Sequence, residues 1–224
     1  MVTGAAGTMG AAVVRAFLED GLKVFALDLK KPSRGEGVVC DITDPAAVER
    51  AAKSIGEVDI LVNNAGILSN NKSEATSPDE WRKVLSVNLD GAFYMARAFI
   101  PGMKKRRWGR IVNTCSLAAK SGGITAGTAY TASKGAMTSL TFSLALELAS
   151  FGATVNGIWP AYVKTPMVTE QLTEAQRQAL IAQIPVGRFC EPEEFAHVVR
   201  FLVSPLSGFI TGEIVDLNGG LVMD

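Results

Sequence analysis

Residues 1–10 read MVTGAAGTMG. Gly4, Gly7 and Gly10 recur at every third position. They run into a helical pattern, Thr8 to Glu19, with Ala12, Val13, Ala16 and Phe17 on one face and Gly21 as its stop. Glycines so placed let a backbone approach a pyrophosphate and let a helix pack closely on its strand. The helix N-terminus adds unpaired N–H groups and positive potential. A strand ahead of such a turn usually runs to about 5–6 residues, whereas here only Met1, Val2 and Thr3 are available. The expectation is a genuine dinucleotide turn behind a clipped first strand, with the lost ladder bonds costing stability rather than chemistry.

Outward from the turn, apolar runs and helical patterns alternate. VFALD (24–28) and VVCD (38–41) read as strands buried on both faces. DPAAVERAAKSIG (44–56) reads as a helix capped by Asp44 with Pro45 in its first turn, and DILVNNAG (59–66) as a strand ending in a polar turn. A long helical stretch (77–103), a strand (109–116), a helix (129–152), a strand (153–160), a helix (191–204) and a final strand and turn (213–220) follow. This alternation predicts one α/β domain over 1–224, built on a parallel sheet with helices on both faces. Ligands then bind beyond the carboxyl ends of the strands. Residues 1–110 form mainly the cofactor half and 111–224 the catalytic and substrate half. Irregular stretches fall at 117–128 and 161–190, the second a candidate lid. Asp28 closes the second strand, where a carboxylate can accept from a ribose diol and repel a 2′-phosphate. That favours NAD over NADP, although Lys30 and Lys31 weigh the other way.

The chain has 224 residues, 48% of them apolar, with Lys+Arg and Asp+Glu at 22 each. Such balance gives no electrostatic footprint for nucleic acid or an anionic membrane, and the KKRR run at 104–107 suits a helix end. No apolar run reaches the ~18–20 residues of a membrane span, and no signal peptide precedes the first motif. Cys40, Cys115 and Cys190 fit no metal spacing and read as buried free thiols, so no metal and a reducing, cytoplasmic setting are expected. His197, the lone histidine, has no nucleophile to serve and reads as structural.

Ordered motifs narrow the field. NNAG (63–66), Asn88 in SVNLDG, Ser116 in IVNTCS, Tyr130 and Lys134 in YTASK, WPAYVKTPM (159–167) and DLNGG (216–220) stand in sequence. Together they resemble the short-chain dehydrogenase/reductase family over residues 2–220. The resemblance implies a doubly wound Rossmann-type sheet of order 3-2-1-4-5-6-7, a nicotinamide cofactor, and a homotetramer or dimer. It implies cofactor contacts from Gly4, Gly7, Thr8, Met9, Gly10, Asp28, Asp41, Ile42, Asn63, Ala65, Gly66, Tyr130, Lys134, Pro160, Val163 and Thr165. It also implies catalytic roles for Ser116, Tyr130, Lys134 and Asn88. The chain departs from the family pattern in four places. The middle glycine of the turn is Gly7, with Thr8 where the family has glycine, and the first strand is short. Only residues 29–37 separate Asp28 from Val38, too few for a helix with its loops. Ala161 follows Pro160 where glycine is usual, which should stiffen that turn.

Tyr130 and Lys134 lie four apart and share a helix face. A free tyrosine titrates near 10, and a neighbouring ammonium is expected to favour its phenolate. Carried over from the family, Ser116 holds the substrate oxygen and Tyr130 passes the proton. Lys134 then holds ribose hydroxyls, and Asn88, a poor residue for a helix interior, anchors a relay water. Lys120 and Lys164 read as surface lysines, with contact to an anionic substrate as the alternative. Trp159, Tyr162 and Met167 line an apolar pocket or pack the lid, while Cys115 points away from the face of Ser116. Ala136, Leu140, Leu144 and Leu148 form either core or a seam for a partner helix. The leading reading is an NAD(H)-dependent oxidoreductase that interconverts a secondary alcohol and a ketone on a small-molecule substrate. A 3-oxoacyl-carrier-protein reductase-like enzyme and a non-catalytic NAD-binding sensor or scaffold are the alternatives.

Overall fold

Seven strands form one parallel sheet in the computed structural model, which describes residues 1–166 and 173–223. They are β1 (Val2–Thr3), β2 (Phe25–Asp28), β3 (Glu36–Val39), β4 (Ile60–Asn63), β5 (Gly109–Thr114), β6 (Ala153–Pro160) and β7 (Ile214–Leu217). Their order is β3-β2-β1-β4-β5-β6-β7, as the family resemblance implies. The first strand is as short as the sequence indicates, yet it occupies the middle of the sheet. Val2 pairs with Ala26 on one side and Val62 on the other. Where the ladder ends, the Thr3 hydroxyl continues it, accepting from the N–H groups of Asn64 and Ala65 at 3.0 Å each.

Helices cover both faces. They are α1 (Thr8–Glu19), α2 (Pro45–Ile55), α3 (Pro78–Leu85), α4 (Gly91–Arg106), α5 (Ala118–Ser121), α6 (Thr128–Leu148), α7 (Glu174–Ile181) and α8 (Pro192–Val203). Asp44 and Ser77 cap α2 and α3 by accepting from Ala46 N–H at 2.9 Å and Glu80 N–H at 3.1 Å. One core layer joins Val13 and Phe17 of α1 to Phe195, Val199 and Leu202 of α8. The other joins Val48 of α2, Met95, Phe99 and Met103 of α4, and Leu144 and Leu148 of α6. Leu144 and Leu148 are therefore core, with Leu140 packed against the same layer.

Two stretches expected to be irregular carry short helices, α5 within 117–128 and α7 within 161–190. A reciprocal cap starts α7: Gln176 N–H donates to the Thr173 hydroxyl, and Thr173 N–H to the Gln176 side chain. Met167 lies outside the described residues. Between α3 and α4 the chain makes a π turn over Ser86–Asp90. Asn88 sits in that π turn inside an otherwise unbroken helical run, so its expected place within a helix holds, at a bulge of the kind that often serves a site.

Candidate active site

The glycine-rich turn is intact despite its shifted middle glycine. Gly4 adopts φ +63°, and a Cβ there would approach Ala65 Cα to 2.8 Å. A Cβ on Gly10 would overlap the Gly4 carbonyl. Gly7 has extended geometry and ordinary room, its nearest would-be neighbour being the Gly4 oxygen at 3.4 Å. Thr8 thus opens α1 without disturbing the turn. No side chain caps α1, which leaves its first-turn N–H groups open to an anion. This bare, close-packed cradle fits a pyrophosphate.

Asp28 is held against the same turn. Its carboxylate accepts from Ala6 N–H at 2.9 Å and from Leu29 N–H at 2.7 Å. Asn64, which the sequence reading passed over, ties the turn from the other side by donating to the Thr3 and Gly4 carbonyls at 3.1 and 3.3 Å. The adjacent asparagines of NNAG diverge by strand alternation. Asn63 turns inward and donates to Asn113 Oδ1 at 2.9 Å.

Beyond the carboxyl ends of the central strands lies a cleft of about 320 Å³. Met9, Gly66, Ser116, Tyr130, Lys134, Pro160, Val163 and Thr165 line it, so these expected site residues do come together. Others do not. Asp41 is an exposed turn former whose carboxylate accepts from Thr43 N–H and hydroxyl at 2.9 and 2.8 Å. Ile42 is buried in the core against Gly91. For Ile42 and Asn63 only the main chain remains to meet a ligand, and the Ala65 amide is taken by Thr3. None of Asp41, Ile42, Asn63 and Ala65 is part of the cleft lining.

At the inner end of the cleft, Ser116 follows β5 and lines the cleft with the Tyr130 phenol from the first turn of α6. One turn on, the buried Lys134 ammonium donates to the Thr114 carbonyl at 2.6 Å and lies 5.8 Å from the Tyr130 ring centre. Burial lowers the Lys134 pKa to about 8. Burial also pushes the Tyr130 phenol above its ordinary value, with the Ser116 hydroxyl opposing. The expected lowering of Tyr130 by Lys134 is therefore not found, because desolvation outweighs the help the phenolate receives.

Asn88 is fully buried and engaged by three hydrogen bonds. Its Oδ1 accepts from Ile67 N–H at 2.8 Å, and its Nδ2 donates to the Ile67 carbonyl and to Ser133 Oγ, both at 3.0 Å. Ser133 in turn donates to the Tyr130 carbonyl at 2.7 Å. Asn88 therefore staples the segment after NNAG to the helix that carries Tyr130 and Lys134. A side chain at Gly66 would be tight between them: its Cβ would lie 3.2 Å from Asn88 Oδ1 and 3.4 Å from Lys134 Nζ.

The outer cleft is mainly apolar, with Leu68, Leu117, Ile124, Tyr162, Leu221 and Val222 in its walls. Lys120 pairs with Asp216 at 3.1 Å and Lys164 with Glu191 at 3.0 Å, and neither lines the cleft. Trp159 donates to Thr138 Oγ1 at 3.1 Å, away from the cleft, while Tyr162 is part of the lining. The Cys115 side chain packs with Ala92 and Met137, and burial raises its thiol pKa. Cys40 is likewise buried, whereas Cys190 is only partly so and His197 is exposed on α8.

Residues 4–222 match the family model described as Enoyl-(Acyl carrier protein) reductase. The 3-oxoacyl-[acyl-carrier-protein] reductase of Vibrio cholerae is 38% identical over 238 residues, which is 100% of this chain and 96% of the relative. Its namesake from Escherichia coli K12 is 36% identical with the same coverage. A crystal structure of 3-oxoacyl-[acyl-carrier protein] reductase from Brucella melitensis is similar with a TM-score of 0.93 at 36% identity, covering 100% of this chain and 90% of that one. A second, with bound NAD, has a TM-score of 0.90 at the same identity and coverage. Among the described residues no helix is long and apolar enough to cross a membrane.

Proposed function

The chain belongs to the short-chain dehydrogenase/reductase family, and from that premise we propose that it reduces the ketone of a 3-oxoacyl thioester to the 3-hydroxy compound, with NADH as the preferred reductant. As a family member it is a reductase acting on a carbonyl or CH–OH group. The observation that carries the finer reading is the meeting of Ser116, Tyr130 and Lys134 at the inner end of a mainly apolar cleft. The names of the relatives support a 3-oxoacyl substrate. Asp28 beside the turn, and the absence of Lys and Arg from residues 1–14, support NADH over NADPH.

The first turn of α1, Asp28 and Lys134 would hold the cofactor, whose nicotinamide supplies a hydride to the substrate carbon. Ser116 and Tyr130 bind the substrate oxygen. The raised phenol pKa suits this direction of reaction: Tyr130 is neutral at pH 7 and holds the proton the new alkoxide needs. The Ser116 hydroxyl favours the phenolate left behind. Asn88, through Ile67 and Ser133, keeps α6 in place, and the apolar walls exclude water.

The assembly is read as a homo-oligomer, because Phe93 on α4 and Phe142 and Leu146 on α6 are exposed. Three free cysteines support a reducing compartment. The test follows nicotinamide absorbance in the purified chain with an acetoacetyl thioester, using NADH and then NADPH. Faster turnover with NADH supports the proposal. Activity confined to simple ketones and secondary alcohols overturns its substrate, and a preference for NADPH overturns its cofactor.

A further inference from the structure

The cleft wall formed by residues 121–127 has little structure of its own. It runs between the end of α5 at Ser121 and the start of α6 at Thr128. Gly122 and Gly123 both adopt positive φ, 76° and 74°, and Ile124 is 74% exposed. Ser121, Gly123, Ile124, Thr125 and Ala126 nevertheless line the cleft.

The tie comes from outside the site. Lys72, on the connection from β4 to α3, donates its ammonium to the Gly123 and Ala126 carbonyls at 2.6 Å each. The same connection receives the start of α6: Gly127 N–H donates to the Ser69 carbonyl at 2.7 Å and Thr128 N–H to the Asn71 carbonyl at 3.0 Å. Glu80 steadies the connection from α3, accepting from the Ser69 hydroxyl and from the Asn71 amide. These bonds, that from Ser69 foremost, hold its carboxyl below the ordinary range. Across the mouth of the cleft, Thr125 Oγ1 meets the Tyr162 hydroxyl at 3.4 Å. Where the wall sits therefore decides how wide the mouth is.

We propose that Lys72 is a positioning residue for substrate: by tying the Gly123 and Ala126 carbonyls it fixes the 121–127 wall and the width of the mouth between Thr125 and Tyr162. It takes no part in cofactor binding or proton transfer. The inference rests on the reading of the cleft as the substrate site of a reductase. An ammonium suits the task because charge-assisted bonds to two carbonyls are stronger than neutral ones. The guanidinium of an arginine can serve both, whereas a methionine serves neither.

The test compares the full chain with Lys72→Met and Lys72→Arg. It measures amide hydrogen exchange over 121–128, steady-state kinetics with an acetoacetyl thioester, and NADH affinity by fluorescence. Lys72→Met is expected to speed exchange in that segment and raise KM for the thioester about tenfold. Its kcat should stay within about twofold and its NADH affinity should not change. Lys72→Arg is expected to restore most of the KM. Unchanged exchange in Lys72→Met overturns the tie. A loss spread equally over KM, kcat and NADH affinity, with no rescue by arginine, reduces Lys72 to general structure and also overturns it. A wild-type chain inactive on the thioester counts against the proposed substrate instead, and the exchange comparison then decides the Lys72 tie.

Discussion

Gly10 packs directly on Gly4: a Cβ at position 10 would overlap the Gly4 carbonyl oxygen and lie 2.8 Å from its carbon. The first turn of α1 thus rests on the backbone of the phosphate turn, closer than any side chain allows. Gly7 has φ −77° and room for a methyl group. Gly10→Ala is therefore expected to lower stability by about 1–3 kcal/mol and to lose NADH binding, while Gly7→Ala keeps both. Thermal denaturation and an NADH fluorescence titration of the two variants check this. Wild-type binding by Gly10→Ala would show that the close approach is dispensable.

The Asp28 carboxylate, fixed by Ala6 N–H, places a negative charge beside the turn. A carboxylate so placed would repel the additional phosphate of NADPH and could accept from an unmodified ribose. Asp28→Ala is expected to shift the ratio of NADPH to NADH affinity upward by about tenfold or more, equivalent to about 1.4 kcal/mol. Paired titrations measure that ratio. Should it stay where it is, discrimination would have to be sought at the exposed Lys30 and Lys31.

Much of this arrangement is legible without coordinates, because buried parallel strands and capped helices leave local patterns. The expected helix at 8–19 matches α1, and the expected strand at 153–160 matches β6. What stayed hidden depends on contacts that no local pattern records. Whether Asn63 or Asn64 meets the turn is settled by strand alternation and by the position of Asn113. The shortness of β1 is plain in the sequence, but its rescue by the Thr3 hydroxyl is not. Helix α7 has no buried residue, so no apolar stripe announces it. The spacing of Tyr130 and Lys134 gives their shared face, but their proton affinities follow from burial, which spacing does not reveal.

Tyr130 combines a raised proton affinity with a place beside Ser116 in the cleft lining. If it is the proton donor, removing its hydroxyl leaves the cofactor cradle untouched, because Gly4, Gly10 and Asp28 lie elsewhere. Tyr130→Phe is expected to bind NADH as the wild type does and to lose about 10²–10⁴ in kcat. Ser116→Ala should lose less, since the phenol remains. Turnover close to wild type in Tyr130→Phe would remove the residue from the chemistry.

Lys134 carries a consequence for stability as well as for catalysis. Burial lowers its pKa from 10.5 to about 8. Between those two values the unfolded chain binds a proton that the folded chain has released. Unfolding free energy therefore rises with pH through that window, and below about 8 the residue adds no slope. The full shift corresponds to about 3 kcal/mol. The raised Tyr130 phenol pulls the other way only above its ordinary value of 10, so the lower part of the window belongs to the lysine. Lys134→Met cannot titrate, and the Thr114 carbonyl it leaves unpaired adds a term independent of pH. From about pH 7.5 to about pH 9.5, wild type is expected to gain about 1–2 kcal/mol on the variant, read from urea unfolding at both values. Other titrating groups are common to both chains and cancel in the difference. Parallel pH dependence in the two proteins would mean that Lys134 keeps its ordinary proton affinity when folded, and that its burial does not tune it.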